Sequence, residues 1–529
     1  MLDRAPSIQS RRRILVAEPL AEEGLEILRR EHDVDVRTGL ERTAFLEALP
    51  DYEALLVRSV VQVDAEAITA GSRLVVVGRA GVGVDNIDLA AATHAGITVV
   101  NAPTGNTIAA AEHTLALLFA LARHVPAADA SLRLGEWKRA AFTGRELRGK
   151  TLGIVGLGKI GMAIADRARG MEMEVIGHDP YVTEDAAANH GVHLTPLAEL
   201  LKTADVVTVH VPLTRSTRNL IGAKELATMK PDAFLINVAR GGVIDENALA
   251  AALTAGKLGG AAVDVFTAEP PRESPLLTAP NTILTPHLGA STAEAQTRVA
   301  VEAAEQVLDV LAGRPARYAV NAPLLTAETA QALAPYLPLA RTLGQFYAQF
   351  SPDLEGLTLE VAGELANHDT SALVAAALGG LLEQHTEVRV NLVNAPTLAR
   401  ARGINLIERK SPDAGRYSSL LTLSGSRAVG GTVASGESRL VRLDEYWLDM
   451  APTAHMLVTR HQDRPGTMGT IGRILGEADV NISAMHLARS HPRADALMIL
   501  ALDDSVTPAV AERIRSQEAV LDLWLIRLD

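Results

Sequence analysis

The sequence predicts an α/β protein made of two parallel-sheet lobes, a mixed α+β domain and a small C-terminal βαββαβ unit. Three observations carry that expectation. Short β-rich apolar runs alternate with Ala-, Leu- and Glu-rich segments of helical period from Ile14 to His287, the pattern of βα units building parallel sheets. A glycine loop, GLGKIG (Gly156–Gly161), follows one of those runs and opens a helical segment. From Ala454 onward the runs read strand, helix, strand, strand, helix, strand, which is a ferredoxin-like order.

Taken in order, ILVAE, ALLVRS, LVVVGRAG and ITVVN give a first, flavodoxin-like lobe. The apolar segment IAAAEHTLALLFALA carries Glu112 and His113, so it reads as a buried helix rather than a membrane span. A second series starts at Thr151: TLGIVG, EVIGHD, DVVTVHVP, AFLINVA, GGAAVDVF and NTILTPH are six runs, the strand number of a Rossmann-like dinucleotide-binding domain. The helical stretch STAEAQTRVAVEAAEQVLDVLAG then leads to the proline-bearing joint RPARYAVNAP, a plausible domain boundary. Beyond it, LPLARTLGQFYAQF reads as a helix and GLTLEVAG and SLLTLSG as strands, with no catalytic grouping. The expected division is residues 1–101 with 289–320 as the first lobe, 102–288 as the dinucleotide lobe, 321–452 as an intervening domain and 453–529 as the C-terminal unit.

Composition narrows the function classes. With 48% hydrophobic and 21% charged residues the chain is globular in character rather than disordered. Cysteine is absent, which excludes disulfides, thiolate nucleophiles and Cys-ligated metals, and no metal is expected. The net charge of −13 and the lack of a basic stripe argue against nucleic acid, so an anionic substrate needs local positive charge. The N-terminal arginines are followed only by Ile14–Ala17 before Glu18, too short for a signal sequence, and no run reaches the ~18 apolar residues of a span. A cytoplasmic protein without membrane contact is expected.

The glycine loop lets backbone approach a pyrophosphate at a helix N-terminus. The run EVIGHD ends in Asp179, placed to accept hydrogen bonds from both ribose hydroxyls and to repel a 2′-phosphate, so NAD is favoured over NADP. Three later strand ends supply Arg240 (INVARGG), Asp264 and Glu269 (DVFTAEPP) and His287 (ILTPHLGAST). In an open parallel sheet, ligands lie outside the carboxyl ends of the strands, so these groups are expected at the cofactor's reactive end.

The loop with Asp179, then NVARGGVIDENAL, DVFTAEPP and TPHLGAST, resembles the D-2-hydroxyacid dehydrogenases; with the C-terminal unit the chain is similar over its whole length to the long-form phosphoglycerate dehydrogenases. The resemblance implies NAD-dependent oxidation of 3-phospho-D-glycerate to 3-phosphohydroxypyruvate, the opening step of serine synthesis, by Arg240, Glu269 and His287. The chemistry fits: imidazole titrates near neutral pH and can take the hydroxyl proton, Glu269 would fix its tautomer, and a guanidinium grips a carboxylate with two parallel hydrogen bonds. The resemblance also implies cofactor contacts at Thr107, Gly156, Gly158, Lys159, Ile160, Gly161, Asp179, His210, Pro212, Ala239, Asp264 and Gly289, and substrate contacts at Arg58, Arg79, Val82 and Gly83 beside Arg240. In this family a segment like GEWKRAAFTG reaches toward the phosphate, in places from the partner subunit, which implicates Lys138 and Arg139. His113 and Glu112 read instead as helix-packing groups.

The C-terminal unit resembles an ACT domain, a module that binds small amino acids at subunit interfaces, and RHQDRPGTMGTIGRIL carries its Asp-Arg-Pro-Gly turn. His461, Asp463 and Asn481 are the polar groups expected around an effector, L-serine, in a homotetramer built as a dimer of dimers. Two other readings stay open: a glyoxylate or hydroxypyruvate reductase of the same superfamily, which usually lacks the C-terminal extension, and an NAD(H)-sensing corepressor-like scaffold.

Overall fold

The computed structural model describes residues 11–528 other than 324, 385, 387 and 388, so the first ten residues of the lobe expected to start at residue 1 lie outside it. The first sheet holds β1 (Arg13–Val16), β2 (Asp33–Val36), β3 (Ala54–Val57), β4 (Val76–Arg79) and β5 (Thr98–Asn101), in the order β2-β1-β3-β4-β5 and parallel throughout. β2, the segment DVDV, was not expected; it is a half-exposed edge whose alternation is too short to stand out.

The second sheet holds β6 (Thr151–Val155), β7 (Glu174–His178), β8 (His193–Leu194), β9 (Val206–Val209), β10 (Phe234–Asn237), β11 (Gly260–Val263) and β12 (Thr282–Leu284). It has seven parallel strands rather than six, in the order β12-β11-β10-β9-β6-β7-β8. The addition is β8, two residues long and too brief to carry a period. Strand order reverses between β6 and β9, so a ligand crevice is expected there. β6, β9, β10 and β11 are nearly continuous buried apolar runs, as sheets covered on both faces require.

Two long helices exchange between the lobes. Thr107–Ala122 leaves the first sheet and packs on helix Lys159–Gly170 and on β10 and β11, while Ala293–Leu311 returns to pack on β4, β5 and helix Glu22–Glu31. The dinucleotide lobe is thus spliced into the first.

The third sheet, β13 (Leu357–Gly363), β14 (Leu406–Ser411), β15 (Ser419–Ser424), β16 (Ala428–Ala434), β17 (Glu437–Leu443) and β18 (Tyr446–Met450), is mixed, in the order β14-β13-β15-β16-β17-β18. Helices Tyr336–Phe350 and Ser371–Glu383 pack together beside it. The last sheet, β19 (His455–Gln462), β20 (Ile482–Arg489), β21 (Asp495–Leu502) and β22 (Val520–Arg527), has the ferredoxin-like order β20-β21-β19-β22. One of its faces, with Met456, Val458, Leu497, Ile499 and Ile526, joins the core of the preceding domain, where Phe350 meets Trp524 edge-on at 4.9 Å. Asn391 ties that body to the first lobe by donating from Nδ2 to Gly96 O at 2.6 Å. No single helix among the described residues is long and apolar enough to cross a membrane.

Candidate active site

Every strand end that borders the crevice delivers a polar or glycine residue. Asp264 follows β11 directly, Arg240 lies just past β10, and His287 just past β12. The three loops touch: a Cβ on Gly241 would lie 1.9 Å from Phe266 O, and one on Gly289 would lie 2.9 Å from Val238 Cγ1. Positions 240, 269 and 287 therefore share one edge of one sheet.

His287 Nδ1 lies 2.8 Å from Glu269 Oε2, and Glu269 Oε1 accepts the Phe266 N–H at 3.1 Å. Burial alone pushes the Glu269 carboxyl up, but the hydrogen bonds from His287 and Phe266 outweigh it and hold the group below its ordinary value. An ionised carboxylate only accepts, so Nδ1 carries the proton and Nε2 is left with a free lone pair. His287 itself sits in left-handed backbone, φ 55°, which an L side chain rarely adopts.

The turn is held by Asp264, which is fully buried. Its Oδ1 accepts from Thr285 Oγ1 at 2.6 Å and Leu288 N–H at 2.8 Å, and its Oδ2 from Gly289 N–H at 2.9 Å. Asp264 thus organises the His287 turn from beneath. Asn237, also buried, does the same for Arg240: its Oδ1 accepts from Ala239 N–H at 3.0 Å and its Nδ2 donates to Arg240 O at 2.9 Å.

Across the crevice the first lobe supplies cations. Gly83 and Gly81 lie tight against the guanidinium groups of Arg240 and Arg79, where a Cβ would fall 1.9 and 1.8 Å from a nitrogen. Arg240 donates from Nε to Asp85 Oδ2 at 3.1 Å, a carboxylate that is itself 70% exposed, and from Nη1 to Ala239 O at 2.7 Å. Arg79 donates from Nε to Arg58 O at 3.1 Å; burial, then repulsion from Arg240, push its guanidinium down to about 10, still charged at neutral pH. The Arg58 backbone is set by the buried Glu18, which accepts the N–H groups of Arg58, Val60 and Val61, and by Asn86, whose Nδ2 donates to Arg58 O at 3.1 Å. Val82 is anchored through its carbonyl, which accepts from Asn101 Nδ2 at 2.6 Å. Among the described residues Arg58, Arg79 and Arg240 outnumber the neighbouring acids, exposed Asp85 and buried Glu18, so the cluster stays locally positive in an acidic chain.

The glycine loop fits a dinucleotide. Gly156 has φ 97°, a Cβ there would meet His210 O at 2.5 Å, and one on Gly161 would meet Gly156 O at 2.1 Å, whereas Gly158 faces open space into which a pyrophosphate fits. Asp179 Oδ2 accepts Leu157 N–H at 2.9 Å and Oδ1 accepts Tyr181 N–H at 2.9 Å, fixing the acid beside the loop. His210 Nε2 lies 2.7 Å from Thr208 Oγ1, its Nδ1 is buried without a partner, and burial pushes the imidazole down to about 3, so it is neutral. Lys159 and Ile160 open helix Lys159–Gly170, and the Lys159 ammonium lies 5.6 Å from the Tyr318 ring centre. Thr107 begins its helix, and Pro212 O accepts from Thr217 Oγ1 at 2.5 Å.

Two expected groupings do not form within one chain. Lys138 pairs with Glu136 at 2.6 Å beside the exposed Trp137, and among the described residues no hydrogen bond or ion pair joins Lys138 or Arg139 to the arginine cluster. The effector set also divides. His461 on β19 pairs across β21 with Ala496, and Asp463 follows it, whereas Asn481 precedes Ile482, which pairs with Leu502 and so lies level with His455. The six-residue offset is about 20 Å at ~3.3 Å per residue. Asn481 instead donates to Asp503 Oδ2 at 2.6 Å, and Asp463 accepts from Arg489 at 2.9 Å and Arg493 N–H at 3.0 Å.

Residues 115–289 match the family model of the D-isomer specific 2-hydroxyacid dehydrogenase NAD binding domain, residues 332–444 that of the D-3-phosphoglycerate dehydrogenase intervening domain, and residues 455–519 the ACT domain. The chain is 45% identical to the D-3-phosphoglycerate dehydrogenase of Synechocystis, over 98% of this chain and 95% of that one. It is 40% identical to the enzyme of the same name from Archaeoglobus fulgidus, over 98% and 100%. The chain belongs to the D-3-phosphoglycerate dehydrogenase family. It is an NAD-dependent dehydrogenase of the D-2-hydroxyacid type. A Thermus thermophilus structure, 38% identical with a TM-score of 0.54, and a glyoxylate reductase from Paecilomyes thermophila, 31% identical with the same score, cover only 58% and 59% of this chain but 99% of their own.

Sequence reasoning missed Glu18, Asp85, Asn86, His113, Asn237 and Thr285. Glu18, Asn237 and Thr285 share the signal that found Arg240 and Asp264, a polar side chain at or just past the end of an apolar parallel strand. Asp85 and Asn86 lie in a loop, and His113 in a helix, where no such rule applies.

Proposed function

We propose that the protein oxidises the C2 hydroxyl of 3-phospho-D-glycerate to the ketone with NAD, forming 3-phosphohydroxypyruvate. The observation that carries this is the His287–Glu269 pair, 2.8 Å apart, on the same sheet edge as Arg240, which together with Arg79 and Arg58 outnumbers the acids Asp85 and Glu18 beside them. His287 Nε2 takes the hydroxyl proton, and Glu269 stabilises the imidazolium that results. Arg240 grips the substrate carboxylate through its Nη groups, since Nε is already engaged. When bound, the nicotinamide ring accepts the hydride that leaves C2. The loop Gly156–Gly161 and Asp179 hold the cofactor, and Asp179 disfavours a 2′-phosphate.

A substrate with a carboxylate and a phosphate brings about three negative charges, which suits Arg58, Arg79 and Arg240 together. A two-lobed glyoxylate reductase needs fewer cations and no C-terminal domains. Lys138 and Arg139, which make no bond to the arginine cluster of their own chain among the described residues, would reach the phosphate in a neighbouring subunit's cleft, in an oligomer joined through the dinucleotide lobes. An L-serine site built from His461 and Asp463 of one chain and Asn481 of another would join the C-terminal units in turn, giving a homotetramer in the cytoplasm. The experiment is a panel of D-2-hydroxy acids with NAD, and of the matching 2-oxo acids with NADH, each with and without L-serine. 3-Phosphoglycerate and its oxo acid should exceed glycerate and glyoxylate in kcat/KM by at least about a hundredfold; equal use of glyoxylate, or no turnover of either phosphorylated acid, defeats the reading.

A further inference from the structure

One histidine outside the proton-transfer pair lies against the same turn. His113, on helix Thr107–Ala122, brings Nε2 to 3.2 Å from Asp264 Oδ1 and 3.3 Å from Thr285 Oγ1. The hydrogens around that contact can be assigned. Ionised Asp264 only accepts, and Thr285 gives its single hydroxyl hydrogen to Asp264 at 2.6 Å, so both oxygens facing His113 lack a hydrogen to offer and Nε2 must carry one. Among the described residues neither arginine nor lysine bonds to Asp264, a fully buried carboxylate, and the only ionisable side chain that does is His113. A buried charge is tolerated only when donors surround it, and truncating one of them costs more than an exposed hydrogen bond would.

What Asp264 holds is the segment that carries the base. His287 N–H donates to Asp264 O at 2.9 Å, Leu288 and Gly289 donate to the carboxylate, and His287 keeps its left-handed backbone, φ 55°, inside this net. A residue in that region persists when its surroundings over-determine it. Helix Thr107–Ala122 runs between the lobes and is packed on β10 and β11, so His113 is presented from a rigid element rather than a loop.

We propose that His113 is a positioning residue for the general base: its Nε2–H pins Asp264 and, through Asp264 and Thr285, fixes the turn that aims His287 at the substrate hydroxyl. The inference rests on the reading of His287 as the base. His113 acts through Asp264 and Thr285, on the chemical step rather than on anion capture, which belongs to Arg58, Arg79 and Arg240.

The test compares His113→Leu, which removes the donor, with His113→Gln, which returns an N–H near the Nε2 position. A third variant, Thr285→Val, removes the other side-chain donor. Turnover is read on whichever D-2-hydroxy acid the wild type uses best, so a wrong substrate assignment leaves the test intact, and NADH binding is followed by fluorescence. His113→Leu should lower kcat at least about tenfold while the KM of the acid stays within about twofold; His113→Gln should recover most of the loss. The double variant His113→Leu with Thr285→Val should lose less than the product of the single losses, because both act through Asp264. Wild-type kcat in His113→Leu overturns the proposal. So does an equal loss in Leu and Gln variants that tracks only a fall in melting temperature, which would make His113 a packing group.

Discussion

The cleft and the C-terminal ACT unit each begin from polar residues scattered in sequence, and within one chain the cleft gathers all of its expected set but Lys138 and Arg139, whereas the ACT set divides. The difference is one of strand direction. In each parallel sheet every strand ends at that sheet's same edge, so Asp179, His210, Arg240, Asp264 and His287 arrive at one edge of the second sheet, and Arg79 at the matching edge of the first, however far apart they are numbered. In the last sheet, helix Thr467–Glu477 carries the chain back before β20 starts, so Asn481 emerges at the edge where β19 began and His461 lies at the other. A polar residue next to a strand predicts a site in the first architecture; in the second its sequence position must be read together with which end of the strand it occupies.

The largest expected effect breaks or sustains the first half of that comparison. His287→Ala should lower kcat by about a thousandfold, within the range that general acid–base catalysis supplies, with NADH binding retained. Arg240→Ala should chiefly raise KM and also lower kcat. Because the His287–Glu269 pair is complete in one chain, oligomers mixed from wild-type and His287→Ala chains should show activity proportional to the wild-type fraction; a steeper fall would mean that the base is shared between subunits.

The second half predicts the opposite behaviour. On the proposed inter-chain L-serine site, His461→Ala and Asn481→Ala proteins should each lose the serine response, yet a mixture of the two should regain part of it, since one interface can take His461 from one chain and Asn481 from its neighbour. Turnover at increasing L-serine checks this. Recovery absent from the mixture would return the three residues to separate roles.

Both regions also bury an imidazole, and this gives them a common acid response. Burial holds His210 at about 3 and pushes His461 down as well. The folded value lies below the unfolded one near 6.5, so the unfolded chain takes up the proton first as pH falls. Stability from His210 is therefore fully present above about pH 6.5 and is lost between there and about 3, at no more than about 1.4 kcal/mol per pH unit. Urea midpoints at pH 7 and 5 measure the slope, and His210→Gln should flatten it.

Legibility followed the same physics. The lobes were readable because parallel strands are apolar runs punctuated at their ends; β2 and β8 escaped because DVDV is polar and HL has only two residues. Arg240, Glu269 and His287 were readable because strand-end placement and residue chemistry agree. His113 was set aside as helix packing because nothing in a helix's period marks which face meets a neighbouring strand end, and only the fold brings it to Asp264. The effector trio is legible as residues but not as a single-chain cluster, because its members lie at opposite ends of parallel strands β19 and β20.

The smallest effect concerns Asp85, and it separates the two regions by how they treat charge. At the C-terminal turn Asp463 is paired with Arg489 and accepts the Arg493 N–H, so an acid is kept occupied. In the cleft the reverse holds: cations are kept in reserve, and among the described residues the exposed acid bonded to them is Asp85, 3.1 Å from Arg240 Nε. A pair this exposed is worth about 1 kcal/mol or less and is screened by salt. If Asp85 is a placeholder that the substrate's carboxylate displaces, Asp85→Asn should lower KM by about two- to fivefold at low ionic strength, leave kcat within about twofold, and lose its advantage near 1 M salt. A rise in KM with a fall in kcat would instead make Asp85 the residue that orients Arg240, and the cleft would then depend on an acid as the C-terminal turn does.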